Sequence, residues 1–114
     1  MTPVAKLAAE CVKEMLNVSD KEKEKYLSTV KGLGSFIIQN GLAGTILFVK
    51  KKGPEKVIEH IDKLIEKQTG VKDFSKEVIN GKDLPQQKYI QMQYAALEGI
   101  KWLRRYADIL LGGD

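Results

Sequence analysis

A chain of 114 residues with 43% hydrophobic and 30% charged side chains suffices for one core hiding roughly two thirds of its unfolded surface, which argues against a second domain and against disorder. Its net charge of +4 biases the surface towards polyanions but is far from the dense basic tails that hold nucleic acid by charge alone. The single cysteine, Cys11, excludes an intramolecular disulfide; with no secretory leader and the longest apolar stretch, Leu42 to Val49, well short of the ~20 residues that cross a bilayer, a cytoplasmic protein without a membrane span is expected.

Thr2 can cap a first helix and Pro3 can open it, because the hydroxyl takes up an unpaired N–H and proline's missing donor costs nothing there. Val4, Leu7, Ala8, Cys11 and Met15 then recur at the spacing of one helix face, which predicts Cys11 buried as a small hydrophobe rather than reactive. Ser19 or Asp20 can cap a second helix with Tyr26, Val30, Leu33 and Ile37 inward and Lys21 to Lys25 solvated. Gly32 and Gly34 each cost a helix about 1 kcal/mol relative to alanine, so close backbone packing or a kink is expected at them.

The segment 36–49 admits two readings. Asn40-Gly41 between apolar runs is a strand-hairpin signal, but Phe36, Ile37 and Ile38 are adjacent rather than alternating. Helix, turn, helix is favoured, with Gly41 as a left-handed cap. Gly53-Pro54 breaks the chain and starts a helix with Val57, Ile58, Ile61, Leu64 and Ile65 on one face, ending at Gly70. His60 is read as off that face and exposed. Asp73 can cap a short, loosely held helix through Val78 and Ile79 that Asn80-Gly81 ends.

Pro85 opens the last and longest helix, whose inner face is Tyr89, Met92, Ala96, Ile100, Leu103, Ala107 and Leu110, with Gly112, Gly113 and Asp114 beyond its end. The expected fold is therefore all-α: a compact bundle of about five to six helices, one domain over residues 1–114, with the C-terminal helix as its spine.

The inventory for catalysis is thin. His60 is the only histidine, which removes His-paired metal sites, and a Cys–His dyad would require Cys11 to leave its stripe. Acidic residues stand beside lysines, as in Glu55-Lys56 and Asp62-Lys63, where surface pairing accounts for them. Gly32-Leu33-Gly34-Ser35 lacks the lysine and hydroxyl of a phosphate-binding loop. Gly41-Leu42-Ala43-Gly44 matches a loop that grips RNA backbones in a class of domains built on a sheet, whereas small residues letting helices approach explain it here. No enzymatic activity, cofactor or metal is expected.

Two basic groups remain: Lys50, Lys51 and Lys52 at a helix end, and Lys101, Arg104 and Arg105 on one face of the last helix beside Trp102. Cations near a helix C-terminus complement its dipole, and Arg104 can pair with Asp108, so both groups also have a structural explanation. Point charges, forked donors and a flat ring together nevertheless suit nucleic acid.

The stretch Leu33 to Phe48, with Asn40-Gly41-Leu42-Ala43 at its turn, and the stretch Tyr94 to Ala107, with Trp102-Leu103-Arg104-Arg105, resemble the small helical subunit of the Cmr effector, the type III-B CRISPR interference complex. The resemblance covers most of the chain; 72–85 matches least, and nothing is carried over to it. It implies a helical bundle without catalysis, a turn at Asn40-Gly41, and copies stacked head to tail in an assembly with backbone and large subunits. Such copies line the groove where guide RNA pairs with target RNA. Target cleavage then belongs to the backbone subunit and cyclic-nucleotide synthesis to the large one. On this resemblance Lys50, Lys51, Lys101, Arg104 and Arg105 are the expected RNA-binding residues, contributing affinity that ignores sequence. Phe48, Trp102 and Tyr106 are the expected protein-interface residues, and a purely structural adaptor without RNA contact is the alternative.

Overall fold

The computed structural model describes residues 1–112. Helix α1 runs Pro3–Lys13, with the Thr2 hydroxyl accepting the Ala5 N–H at 3.2 Å. Its last turn tightens, Glu14 N–H bonding to Cys11 O and Met15 N–H to Val12 O, which carries Met15 into the core. Ala5, Ala8, Cys11, Val12 and Met15 are buried, and the predicted Val4 and Leu7 lie half-buried at the edge of that face.

Helix α2, Asp20–Lys52, starts at Ser19, whose hydroxyl accepts the Glu22 N–H at 3.2 Å. Phe36 and Phe48 would stand about 18 Å apart along a continuous helix. Their ring centroids are 4.8 Å apart, so the chain folds back between them. The break is Gly41, at φ 78° and ψ 163°. Helix, turn, helix therefore holds, and α2 is a helical hairpin with arms 20–40 and 42–52. Gly41 is not the expected left-handed cap; its backbone occupies the extended positive-φ region that is nearly reserved for glycine. The long apolar stretch of α2 bends back on itself here and forms no continuous span.

Helix α3 occupies Glu55–Thr69 and ends on Gly70 at φ 80°, α4 occupies Phe74–Ile79, and α5 occupies Gln86–Leu111. Among the described residues there is no strand. Helix α5 packs on α1, α2 and α3, as expected of a spine. The α3–α5 contact depends on Gly99, where a Cβ would come 2.7 Å from Leu64 Cβ. Gly113 and Asp114, predicted beyond the end of α5, lie outside the described residues.

Three further sequence expectations are corrected. Gly32 and Gly34 mark neither close packing nor a kink: a Cβ on either would meet nothing within 4 Å. Asp73 precedes α4 but makes no side-chain cap; Asp62 of α3 instead accepts from the Ser75 N–H and hydroxyl, and α4 is anchored by buried Phe74 and Val78 rather than loosely held. His60 is fully buried.

Candidate nucleic-acid interface

The first arm of α2 runs antiparallel to α5. At one end the second arm's first N–H groups, which have no partner within their own helix, are taken up by α5: Leu42 N–H donates to Gln93 Oε1 and Ala43 N–H to Tyr89 Oη, each at 2.9 Å. At the other end Lys31 Nζ lies 3.7 Å from Asp108 Oδ1. Between these points is a groove of about 330 Å³ lined by Gly34, Leu97, Ile100, Lys101, Arg104, Arg105 and Asp108.

Helical spacing brings Lys101, Arg104 and Arg105 together as expected. Arg104 Nε is 4.0 Å from Asp108 Oδ2, so Asp108 is shared with Lys31, and Lys101 Nζ is 2.8 Å from Glu98 Oε1. These are exposed pairs, weak in water and free to exchange for a phosphate. The four cations Lys31, Lys101, Arg104 and Arg105 face the two carboxylates of Glu98 and Asp108, which leaves the face positive. Trp102 steadies two of them: the Arg105 guanidinium lies 4.9 Å and Lys101 Nζ 5.4 Å from its ring centroid.

Lys50 and Lys51 do not line this groove. They are exposed at the end of the second arm of α2, where Lys50 reaches Glu55 at 3.5 Å. Phe48 is 47% exposed and stacks on Phe36, so a partner could still cover it. Trp102 and Tyr106 are half-buried against the core, with the Tyr106 hydroxyl 3.7 Å from Met1 Sδ.

Sequence reasoning missed Lys31 and Tyr94. Lys31 stands one residue off the Val30–Leu33–Ile37 stripe, and only the pairing of α2 with α5 gives it a role. Tyr94 is 72% exposed on α5, seven residues before Lys101 and hence on the same face. An aromatic residue at i, i+7 from a cation was the available signal.

The titratable residues left over are structural. His60 Nε2 lies 2.9 Å from Glu14 Oε1, and Tyr26 Oη lies 2.7 Å from His60 Nδ1. The hydrogen bond from His60, with Lys63 beside it, pulls the Glu14 carboxyl down to about 2, whereas burial pushes His60 below its ordinary value. An ionised Glu14 requires the proton on Nε2, which leaves Nδ1 to accept the Tyr26 hydroxyl. Burial pushes the Cys11 thiol up to about 11, so it is not an activated nucleophile at neutral pH. Among the described residues no three His, Cys, Asp or Glu side chains are grouped to hold a metal ion.

A family profile described as CRISPR-associated protein (Cas_Cmr5) matches residues 2–110. The CRISPR system Cmr subunit Cmr5 of Thermotoga maritima is 46% identical over 111 residues, an alignment covering 97% of this chain and 84% of that protein. No solved structure matches the chain.

Proposed function

From membership of the CRISPR-associated Cas_Cmr5 family, to which this chain belongs, we propose that it acts as the non-catalytic small subunit of a type III-B Cmr ribonucleoprotein, binding the backbone of guide and target RNA. Its partners are the backbone and large Cmr subunits and further copies of itself stacked head to tail, and it works in the cytoplasm during antiviral RNA interference. The observation that supports RNA contact is the α2–α5 groove, lined by Lys101, Arg104 and Arg105 of α5, with Lys31 of α2 beside its Asp108. Lys50 and Lys51 form a second phosphate contact on the same reading, and Phe48, Trp102 and Tyr106 face protein partners.

A few phosphate contacts per copy give weak, salt-sensitive binding that gains strength when copies line up along one strand. The test is Arg104→Glu with Arg105→Glu. The double variant is expected to enter the complex and to hold target RNA less tightly; entry with undiminished retention refutes the assignment of this face. A purely structural adaptor is the second reading, and the engagement of Lys50, Lys101 and Arg104 with carboxylates of the same chain favours it. Photocrosslinking of the assembled complex separates the two: RNA adducts confined to other subunits select the adaptor.

A further inference from the structure

We propose that the groove between the first arm of α2 and α5, with the α5 face that leads to it, is a seat for a short unpaired RNA strand, with phosphates at Lys31, Lys101 and Arg104 and a base stacked on Tyr94. This rests on the reading that this face meets RNA, and it adds which state of RNA the face takes.

Tyr94 leaves 72% of its surface open, so its ring contributes little to the core. Further along the same face of α5, past Leu97 and the Glu98 that pairs with Lys101, stand two cations: Lys101 is seven residues on and Arg105 eleven, about 10 Å and 16 Å along the helix. One strand laid along α5 meets a flat ring and then a row of charges. That pairing is how single-stranded nucleic acid is held without regard to sequence, because every base has a π-face to offer.

Gly34 gives the groove its depth. A Cβ there would meet nothing within 4 Å, so no packing contact accounts for a glycine that weakens its helix. The space it leaves belongs to the cavity of about 330 Å³, near the lower end of the ~300–1,000 Å³ of small-ligand sites. Lys31 of α2 and Arg104 of α5 share Asp108, which lines the groove, at 3.7 and 4.0 Å, contacts long enough to yield to a phosphate.

A base paired and stacked inside a duplex has no free face for Tyr94, so a continuous duplex would touch the cations alone. The seat therefore discriminates between unpaired and paired RNA. Ile90, 43% exposed one turn before Tyr94, and Ile38, 76% exposed on the first arm of α2, would also suit a protein surface. Cations around the cleft weigh towards RNA, because charge is depleted from the centres of protein interfaces.

The test uses the full chain with a fluorescein-labelled single-stranded RNA of about 12 nucleotides, and the same strand annealed to its complement, read by anisotropy at low salt. The variants are Tyr94→Ala, Tyr94→Phe, Gly34→Leu and the Arg104→Glu, Arg105→Glu pair, each checked by circular dichroism. Tyr94→Ala and Gly34→Leu are each expected to weaken single-strand binding about tenfold, with Tyr94→Phe close to wild type and duplex affinity changed less than about twofold. Single-strand affinity that survives Tyr94→Ala while the charge-reversed pair abolishes binding overturns the seat and leaves the RNA reading standing. Equal losses on single strand and duplex overturn it too. Loss of association with other Cmr subunits, with RNA affinity intact, reassigns the patch to protein contact. If the wild-type chain binds neither RNA, or binds both regardless of charge reversal, the functional reading and the seat fall together. Tyr94 is so exposed that truncating it leaves the core untouched, so its result stands even if Gly34→Leu misfolds.

Discussion

His60 shows how a polar residue can be core. It lies three positions after Val57 and four before Leu64, at the edge of the apolar face of α3, and its two nitrogens are taken by Glu14 and Tyr26. Burial holds its folded-state pKa below the ~6.5 of an unfolded chain. The contribution of neutral His60 to stability is therefore complete above about pH 6.5 and is lost as pH falls towards the folded value. Glu14, lowered from 4.5 to about 2, adds a second loss below about pH 4.5. Urea midpoints are expected to decline as pH falls below about 6.5 and again below about 4.5. His60→Ala leaves a cavity and an unpaired Tyr26 hydroxyl, so it should cost about 3 kcal/mol at pH 7.5 and remove the first decline. Two glycines should respond oppositely in thermal melts. Gly32→Ala adds a side chain to open space and stabilises by about 1 kcal/mol, whereas Gly99→Ala drives a methyl into Leu64 and destabilises by about 1–3 kcal/mol.

Among the elements, the α2 hairpin depends most on distant residues. The helix starts at Thr2, Ser19 and Pro54 and the stop at Gly70 were legible because each signal acts within one turn of the chain. The cap of α4 was not, since its acceptor is Asp62 of another helix rather than the neighbouring Asp73. The hairpin is intermediate: Asn40-Gly41 marked the turn, but the groups that fix its second arm are Tyr89 and Gln93 of α5. Gly41→Ala combines a disfavoured backbone with a Cβ only 2.9 Å from Tyr89 Oη, and should lose about 3 kcal/mol in chemical denaturation. Tyr89→Phe removes only the acceptor for Ala43 N–H and should lose about 1 kcal/mol. A Gly41→Ala variant as stable as wild type would show that the second arm can start without this turn.

For the whole molecule, the relevant quantity is the charge gathered along the α2–α5 groove. Each cation that meets a phosphate releases counterions, so reversing Arg104 and Arg105 should reduce the slope of log affinity for single-stranded RNA against log salt by at least ~1.4. Anisotropy titrations over a range of salt concentrations measure this. A slope equal to that of the wild type would mean that neither arginine touches the strand. Lys31→Glu should act in the same direction, although it belongs to a different helix.

The amino-acid sequence by itself determined the all-α class, most helix boundaries, the α5 spine and the family resemblance, because caps, breakers and apolar spacing act over a few residues. It also placed Lys101, Arg104 and Arg105 together, since one helix carries all three. Only the tertiary structure decided that Lys31 joins them, that Lys50 and Lys51 lie elsewhere, that Gly34 opens a groove and that His60 is buried. Each of these depends on which helices pack together and at what register, and such contacts join residues dozens of positions apart that share no local pattern.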